Sequence, residues 1–491
     1  MKKYDVIAIG TGSAMNIVSA MMQRNPSLKV AVIDKDEPGG ICLTRGCIPS
    51  KLLLYPAELV RTVQDTAKFG IEVDIQNIDF ARVMNRMRDY IDKDIDMIRA
   101  GLSRGGNLDY YNSTAEFTAP YTLQVEGKTI KGDMILLCTG SKIFIPPIEG
   151  LDKVQYHTSD TVLHMTELPK SIAIVGGGYI AAEYGHFFSA MGSRVVIIGR
   201  NPQFLPQEEP EISALAKQKL GKYMKTITDH EVKRVKKTED GRIKVIAEHG
   251  KSGKMEAITA HELLIASSRS SNSDILSPER AGIETDGRGW IKVNEYLETS
   301  QPNIWAFGDA TGKYLFKHAA NYESTVVYYN AVKGAKVKVD YHAVPHAVFT
   351  YPEIAGVGMR ENEAIEKYGE GDVLLGFQRF EDTAKGSAMG VTDCFVKVIC
   401  RREKMEILGA HIIGPHASIL IQEIINLMYT EDRSAEPVMN GMHIHPALSE
   451  VIERAFGNLN PPGHYHHVLS HQLGHILGEK EHEQGAKQGH H

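Results

Sequence analysis

With 491 residues the chain is too long for one ordinary domain, and its length corresponds to roughly three. Hydrophobic residues make up 42% and charged residues 24%, the balance of a globular protein, neither disordered nor fibrous. A formal charge of −6 without a basic stretch argues against nucleic acid or an anionic membrane as partner. The longest apolar runs, such as Ile172 to Val175 and Val195 to Ile198, are far shorter than the roughly 18 residues of a membrane span. From Met1-Lys2-Lys3 the chain enters a strand pattern with no apolar stretch and cleavage site of a secretory signal, so a cytoplasmic protein is expected. Five cysteines are too few for a disulfide framework. Cys138, Cys394 and Cys400 sit in apolar strand-like contexts and read as buried small hydrophobes.

The first predicted unit is a strand, Tyr4 to Ile9, a turn Gly10-Thr11-Gly12-Ser13-Ala14, a helix over Met15 to Gln23, and a strand from Lys29 to Ile33 closing on Asp34. Glycines let the backbone approach a pyrophosphate, the helix N-terminus offers amide donors, and Asp34 suits a ribose hydroxyl. A lone Gly-x-Gly is a weak signal, and the surrounding strand–helix–strand pattern gives it weight. Met15 stands where a third glycine or small residue is usual, which implies a looser helix–strand contact.

Next comes Gly39-Gly40-Ile41-Cys42-Leu43-Thr44-Arg45-Gly46-Cys47-Ile48-Pro49-Ser50-Lys51. Cysteines five apart cannot share one face of a regular helix, so a bridge between them requires a distorted helix start. Such strain favours a reducible disulfide, and a helix N-terminus together with Lys51 favours thiolate over thiol. Two cysteines alone do not fill a tetrahedral metal site, and no further ligand follows at suitable spacing. The bland alternative is two unrelated buried thiols.

The nucleotide pattern recurs at Ser171 to Val175, Gly176-Gly177-Gly178-Tyr179-Ile180-Ala181-Ala182-Glu183, a helix, and the strand Arg194 to Ile198. Two units imply two nucleotides. The second strand ends in Gly199-Arg200-Asn201 with no carboxylate, and an arginine there accommodates a 2′-phosphate that an acid would repel. Ala181 replaces the third glycine. The pattern leans to NADPH over NADH, although Arg200 pointing into solvent is the plain alternative.

Near the other end stands Met442-His443-Ile444-His445-Pro446-Ala447-Leu448-Ser449-Glu450. Cleaving a disulfide requires a proton for the leaving thiolate, and histidine gives and takes protons at neutral pH. By itself a His-x-His is more often structural than catalytic.

Taken together, Gly-Gly-x-Cys-x4-Cys-Ile-Pro-Ser-Lys beside two nucleotide units resembles the pyridine nucleotide–disulfide oxidoreductase family, and the layout follows that family to about Gly457. The resemblance implies an α/β fold of two Rossmann-like domains, for FAD and NAD(P), and a C-terminal α+β dimerisation domain. It assigns the first unit to FAD, held by Gly10, Gly12, Ser13, Asp34, Gly40, Thr139 and Gly140. Cys42 becomes the interchange thiol, Cys47 the thiolate against the flavin, and Lys51 a neighbour of the flavin N5 paired with Glu183. Asp309, in Ile304-Trp305-Ala306-Phe307-Gly308-Asp309-Ala310, would bond the ribityl chain, and the helix from about His318 would aim its amide end at the flavin. Tyr179 is similar to the tyrosine that covers the flavin until nicotinamide enters. Arg269 lies in Ser267-Ser268-Arg269-Ser270-Ser271-Asn272, which replaces the usual Gly-Arg-x-Pro-Asn, so a different local turn is expected there. The His-Pro…Glu resemblance makes His445 the acid–base, Glu450 its orienter and His443 structural. Because that histidine serves the partner subunit's flavin site, a homodimer is implied.

The expected layout is an FAD domain from 1–148 and 275–340, an NAD(P) domain at 149–274, a dimerisation domain at 341–456 and a His-rich extension at 457–491. In that extension His467, His471 and His475 would share a helix face. A divalent metal on that stripe is one reading and a packing or solvated helix the other. No cysteine follows Cys400, which argues against mercuric ion reduction and large-type thioredoxin reduction. Dihydrolipoamide dehydrogenase-like exchange among a substrate dithiol or lipoyl domain, Cys42–Cys47, FAD and NAD(P)(H) is the first expectation. NADPH-dependent reduction of a small disulfide, of mycothione or glutathione type, is the second. Service mainly as a docked subunit of a larger complex, or as a metal-responsive protein, is the reading from a different class.

Overall fold

The structure is a computed structural model that describes residues 1–477. The first body is built on β1 (Lys2–Ile9), α1 (Ala14–Arg24), β2 (Val30–Ile33), the short α2 (Gly40–Thr44), α3 (Cys47–Gln64), α4 (Phe80–Leu102), β3 (Leu108–Tyr111), β4 (Ala115–Ala119), β5 (Thr122–Val125) and β6 (Lys128–Leu137). The sheet runs in the order β3-β2-β1-β6-β5-β4. Strands β1, β2, β3 and β6 are parallel, and every residue of β2 is buried, as expected where helices cover both faces. Helix α4 starts where the Asp79 side chain accepts from the Arg82 amide at 2.9 Å, and it buries Phe80, Met84, Met87, Ile91 and Ile95 along one stripe.

After β7 (Ser141–Ile143) the chain enters a second parallel sheet made of β8 (His157–Thr158), β9 (Ser171–Val175), β10 (Arg194–Ile198), β11 (Lys225–Ile227) and β15 (Glu262–Ile265), in the order β11-β10-β9-β15-β8. Helices α5 (Tyr179–Met191) and α6 (Pro210–Leu220) belong to this body. An antiparallel meander of β12 (His230–Lys237), β13 (Ile243–His249) and β14 (Met255–Ala260) precedes β15. The chain returns through β16 (Arg269–Ser271), which pairs antiparallel with β7, so outgoing and incoming strands form one ribbon. Strand β17 (Ile304–Ala306) then joins β6 in the first sheet, ahead of α7 (Lys317–Val327).

The third body is an antiparallel sheet of β18 (Pro345–Val348), β19 (Glu353–Gly358), β20 (Val373–Arg379), β21 (Phe395–Arg401) and β22 (Ile407–Gly414), in the order β18-β19-β22-β21-β20. Around it lie α8 (Glu361–Tyr368), α9 (Ala384–Ala388), α10 (Ala417–Met428), α11 (Glu436–Asn440), α12 (Glu450–Gly457) and α13 (Pro462–Leu477). One apolar core runs from Leu53 and Met84 through Phe187 and Phe188 to Phe377 and Phe395, and takes in Tyr465, Leu469 and Leu473 of α13. The extension helix is therefore a packing helix. His467 and His471 stand on its exposed side with ring centroids 4.5 Å apart, while the His475 side chain and residues 478–491 lie outside what is described. No helix among the described residues is long and apolar enough to cross a membrane.

Lys397, in the middle of β21, is fully buried, its Nζ 2.6 Å from Glu211, 2.7 Å from Glu361 and 3.2 Å from Glu209. Burial alone would discharge the amine, but the three carboxylates reverse this and hold it above the ordinary lysine range. The acids outnumber the cation. Glu209 precedes α6 and accepts from the Glu361 amide at the start of α8, so two helix N-termini offset the excess negative charge. Tyr465 of α13 donates to Glu211 at 2.9 Å, which seats the extension on this cluster. Lys397→Met is expected to cost about 3–5 kcal/mol because it leaves carboxylates buried without their cation. Tyr465→Phe is expected to cost about 1 kcal/mol. Urea unfolding of the two variants checks the ranking.

Candidate active site

The first glycine turn closes on itself. Gly10 takes φ 105°, and a Cβ there would lie 2.0 Å from the Cys138 carbonyl oxygen. Gly40 (φ 73°) faces Gly12 so closely that its Cβ would come 2.7 Å from the Gly12 Cα. Asp34, at the tip of β2, accepts from the Thr11 amide at 2.8 Å and the Thr11 hydroxyl at 2.5 Å, and the Gly39 amide donates to that hydroxyl at 2.9 Å. Ser13 receives Lys317 Nζ at 3.0 Å. These residues border a cleft of about 1020 Å³ that reaches from Asp34 to Tyr179.

The cleft suits a dinucleotide in size, and its wall carries groups waiting for a partner. Thr139 Oγ1 is buried with no hydrogen bond, beside Gly140. Asp309 accepts from Ser141 Oγ at 2.6 Å, and burial pushes its carboxyl above the usual range. Arg269 donates to Ser141 Oγ at 2.5 Å and to its carbonyl at 2.9 Å, so it ties β16 to β7 at the cleft edge. The unusual Ser267–Asn272 segment still closes the turn, with Asn272 Nδ2 donating to the Thr139 carbonyl at 3.0 Å. His318 is not on the cleft wall. Its imidazole pairs with the Pro345 carbonyl at 2.7 Å, and Lys317 at the start of α7 faces the cleft instead. Cys138, expected as a buried small hydrophobe, lies just past β6 on the cleft wall, and burial pushes its thiol up to about 11.

Cys42 and Cys47 are both free thiols in this cleft, on either side of a helix break. Cys42 belongs to α2 and Cys47 starts α3, with Arg45 and Gly46 between them. At Gly46 a Cβ would meet the Ile41 carbonyl oxygen at 2.8 Å and the Cys42 Cα at 3.2 Å, so only glycine lets the two strands of the loop come this close. The sulfurs share a proton. A hydrogen bond from Cys47, helped by Lys317 and opposed by burial, draws Cys42 down to about 7. Holding that proton, and being buried, pushes Cys47 up, with Lys51 pulling the other way. The sequence expectation put the thiolate on Cys47. That role belongs to the flavin-bound enzyme; in the protein alone the two sulfurs are coupled, and the first proton lost belongs to the pair.

Lys51 lies one turn along α3, with Nζ 2.9 and 3.0 Å from the two carboxylate oxygens of Glu183 on α5. Glu183 is almost fully buried and also accepts from the Phe349 amide at 3.1 Å. Tyr179, at the start of α5, walls the cleft, whereas Gly176 and Ala181 lie behind it. Gly176 (φ 142°) backs onto the Ala266 carbonyl, where a Cβ would stand 2.2 Å away, and Ala181 is fully buried. Gly178 has open space where a side chain would be. Arg200, beyond β10, is exposed and has no polar partner among the described residues.

His445 and Glu450 are brought together but away from this cleft. His445 Nδ1 is 2.9 Å from Glu450 Oε1, and that bond keeps the Glu450 carboxyl below its usual range. The His445 side chain is 67% exposed, with Met442 and Ile444 also open, so the other ring nitrogen points off the subunit. His443 pairs with Glu423 at 3.2 Å.

Sequence reasoning missed four groups on or behind the cleft. Lys317 follows Phe316 with no motif of its own. Arg45, inside the cysteine loop, pairs with Asp36 at 2.6 Å and Asp160 at 3.3 Å. His346 and Glu208 meet 2.9 Å apart across 138 residues of chain, a pairing no local pattern announces.

Residues 4–334 match the pyridine nucleotide-disulphide oxidoreductase family, and residues 344–456 match its dimerisation domain. The chain is 36% identical over 468 residues to mycothione reductase of Mycobacterium tuberculosis, covering 93% of this chain and 99% of that protein. It is 33% identical over 469 residues to dihydrolipoyl dehydrogenase of Synechocystis sp., covering 92% and 98%. Among solved structures, the Cu(II) complex of HOCl-induced flavoprotein disulfide reductase RclA from Escherichia coli superposes with a TM-score of 0.82 at 27% identity, covering 93% of this chain and 99% of that one.

Alkylation of the dithiol protein by iodoacetamide should follow an ionisation near pH 7, because Cys42 is lowered to about 7. Lys317→Met should move that midpoint upward, since it removes a cation that favours the thiolate. A midpoint near the free-cysteine value of about 8.5 in the unmodified chain would contradict the shared-proton account.

Proposed function

The chain belongs to the pyridine nucleotide-disulphide oxidoreductase family and is a flavoprotein oxidoreductase acting on sulfur groups with NAD(P). On that premise we propose that it is an NADPH-dependent reductase of a small-molecule disulfide, with Cys42 and Cys47 as its working sulfurs. Placement of both cysteines on the cleft wall, between Lys51 and Lys317, carries the reading.

The cradle from Asp34 to Asp309 would hold FAD, which when bound would supply a two-electron relay between nicotinamide and sulfur. The rest is done by the chain. The Cys42 thiolate attacks one sulfur of the substrate, a Cys42–substrate bond forms, and the substrate's own sulfur–sulfur bond breaks. The departing thiolate takes a proton from His445 of the partner subunit, which Glu450 holds by its other nitrogen. Cys47 then gives its proton to the same imidazole and attacks Cys42, which closes the Cys42–Cys47 bond and frees the second thiolate, and that thiolate takes the proton from the imidazole. Two thiols have been made and one disulfide has been left on the enzyme. Lys51 keeps a cation beside Cys47 throughout, and Glu183 fixes its position. The dimerisation domain supports the homodimer that this proton transfer requires.

Arg200 supports the nucleotide preference. It is exposed at the end of β10, has no polar partner among the described residues, and suits a 2′-phosphate. That preference and the similarity to mycothione reductase favour disulfide reduction over the dihydrolipoamide oxidation that the sequence alone puts first. The second reading keeps the support of relatives named dihydrolipoyl dehydrogenase. Turnover with mycothione, glutathione disulfide and lipoamide, each with NADPH and NADH, separates the two. NADPH with one of the small disulfides should give the highest kcat/KM, and preference for lipoamide with NAD+ would overturn the proposal.

Two variants sharpen the test. Cys42→Ser should lower disulfide turnover by roughly three orders of magnitude or more while leaving flavin content unchanged. Arg200→Ala should raise KM for NADPH by about tenfold or more and leave KM for NADH nearly unaltered, the loss expected of one charged hydrogen-bond partner.

A further inference from the structure

Tyr179 is held in place from two directions. Its ring stacks on the His346 imidazole, with centroids 5.6 Å apart and planes 10° from parallel. Its hydroxyl faces the Glu208 carboxylate, which is fully buried in the loop between β10 and α6. Glu208 in turn accepts from or pairs with His346 Nε2 at 2.9 Å, while its second oxygen has no hydrogen bond. Tyr179 and Glu208 belong to the nucleotide body, whereas His346 comes from β18 of the third body.

The position of His346 is itself constrained. It pairs across β18 and β19 with Gly356, where a Cβ would lie 2.5 Å from the imidazole Cε1. A glycine on the neighbouring strand therefore leaves the space in which this imidazole can lie.

We propose that His346, oriented by Glu208, is a positioning residue that latches Tyr179 shut and so sets how readily nicotinamide reaches the cleft. This rests on the reading of Tyr179 as the residue nicotinamide must displace. Swinging the tyrosine aside breaks the stack and withdraws a hydroxyl from a buried carboxylate. Nicotinamide must offset that loss, and its apparent affinity is lowered by the fraction of molecules in which the tyrosine is closed. One aromatic stack corresponds to roughly two- to tenfold in such an equilibrium. The latch lies at the nicotinamide end, away from the cysteines, so the disulfide half of the reaction should not register it.

Rapid-mixing reduction of the holoenzyme by NADPH and by NADH, over a range of nucleotide concentrations, tests the latch. His346→Ala should lower the apparent dissociation constant for both nucleotides by about two- to tenfold, with KM for the disulfide unaltered. Glu208→Gln keeps the shape and a hydrogen bond to His346 but removes the charge, and should give a smaller shift of the same sign. Where His346→Ala does not accumulate as holoenzyme, Gly356→Ala crowds the same imidazole and carries the test. Tyr179→Ala separates the two levels of the argument. If it tightens nucleotide binding while the His346 and Glu208 variants leave both constants unaltered, the latch is wrong and the gate stands. If Tyr179→Ala changes nothing, the gate reading falls and the latch with it.

Discussion

Two sulfurs five residues apart work together only where the backbone doubles back, and the close approach of Gly46 to Ile41 and Cys42 makes that possible. A side chain at 46 would push the start of α3 away from α2 and separate the thiols. Because the helix restarts at Cys47, its first amides and Lys51 one turn later gather positive charge on one side of the pair, and Lys317 supplies it on the other. The shared proton, the depressed Cys42 and the pairing of Lys51 with Glu183 all follow from where this break falls. The nucleotide cradle obeys the same rule, with Gly10, Gly12 and Gly40 placed where backbones touch.

What could be read from the chain was local. The strands at Ser171–Val175 and Arg194–Ile198 follow from unbroken apolar runs bounded by turn residues, and both are found at those limits. Gly10 and Gly176 were marked by the turns around them, and the cysteine loop by its glycines and proline. Long-range pairings carried no such mark. Lys397 reads as an ordinary strand residue until β21 places it against α6 and α8, and Glu208 reads as one of three acids in Gln207-Glu208-Glu209-Pro210-Glu211. His445 was legible as chemistry, and its service to a partner's cleft followed from the family resemblance, while its exposure and its bond to Glu450 Oε1 are seen in three dimensions. Near His318 the expected helix begins one residue earlier, at Lys317, and it is the Lys317 side chain that faces the cleft.

Ion pairs cross seams between the bodies, alongside the shared apolar core. Lys51 with Glu183 joins α3 to α5, His346 with Glu208 joins β18 to the loop before α6, and Lys397 with its carboxylates joins β21 to α6 and α8. An apolar seam could bind as tightly but would tolerate sliding, whereas an ion pair with fixed partners selects one register. An enzyme that passes electrons between sites in separate bodies depends on such registration.

The seat of α13 on Glu211 and Lys397 also bears on how the polypeptide matures. Glu211, Phe377 and Lys397, the long-range partners of Tyr465, leave the ribosome before Tyr465 does, so during synthesis β21 and α6 must wait for a later segment to complete their shared surface. Until that helix is made, the side of the Lys397 cluster that Tyr465 covers is open to water, so the finished seam depends on a segment distant in sequence from both elements it caps.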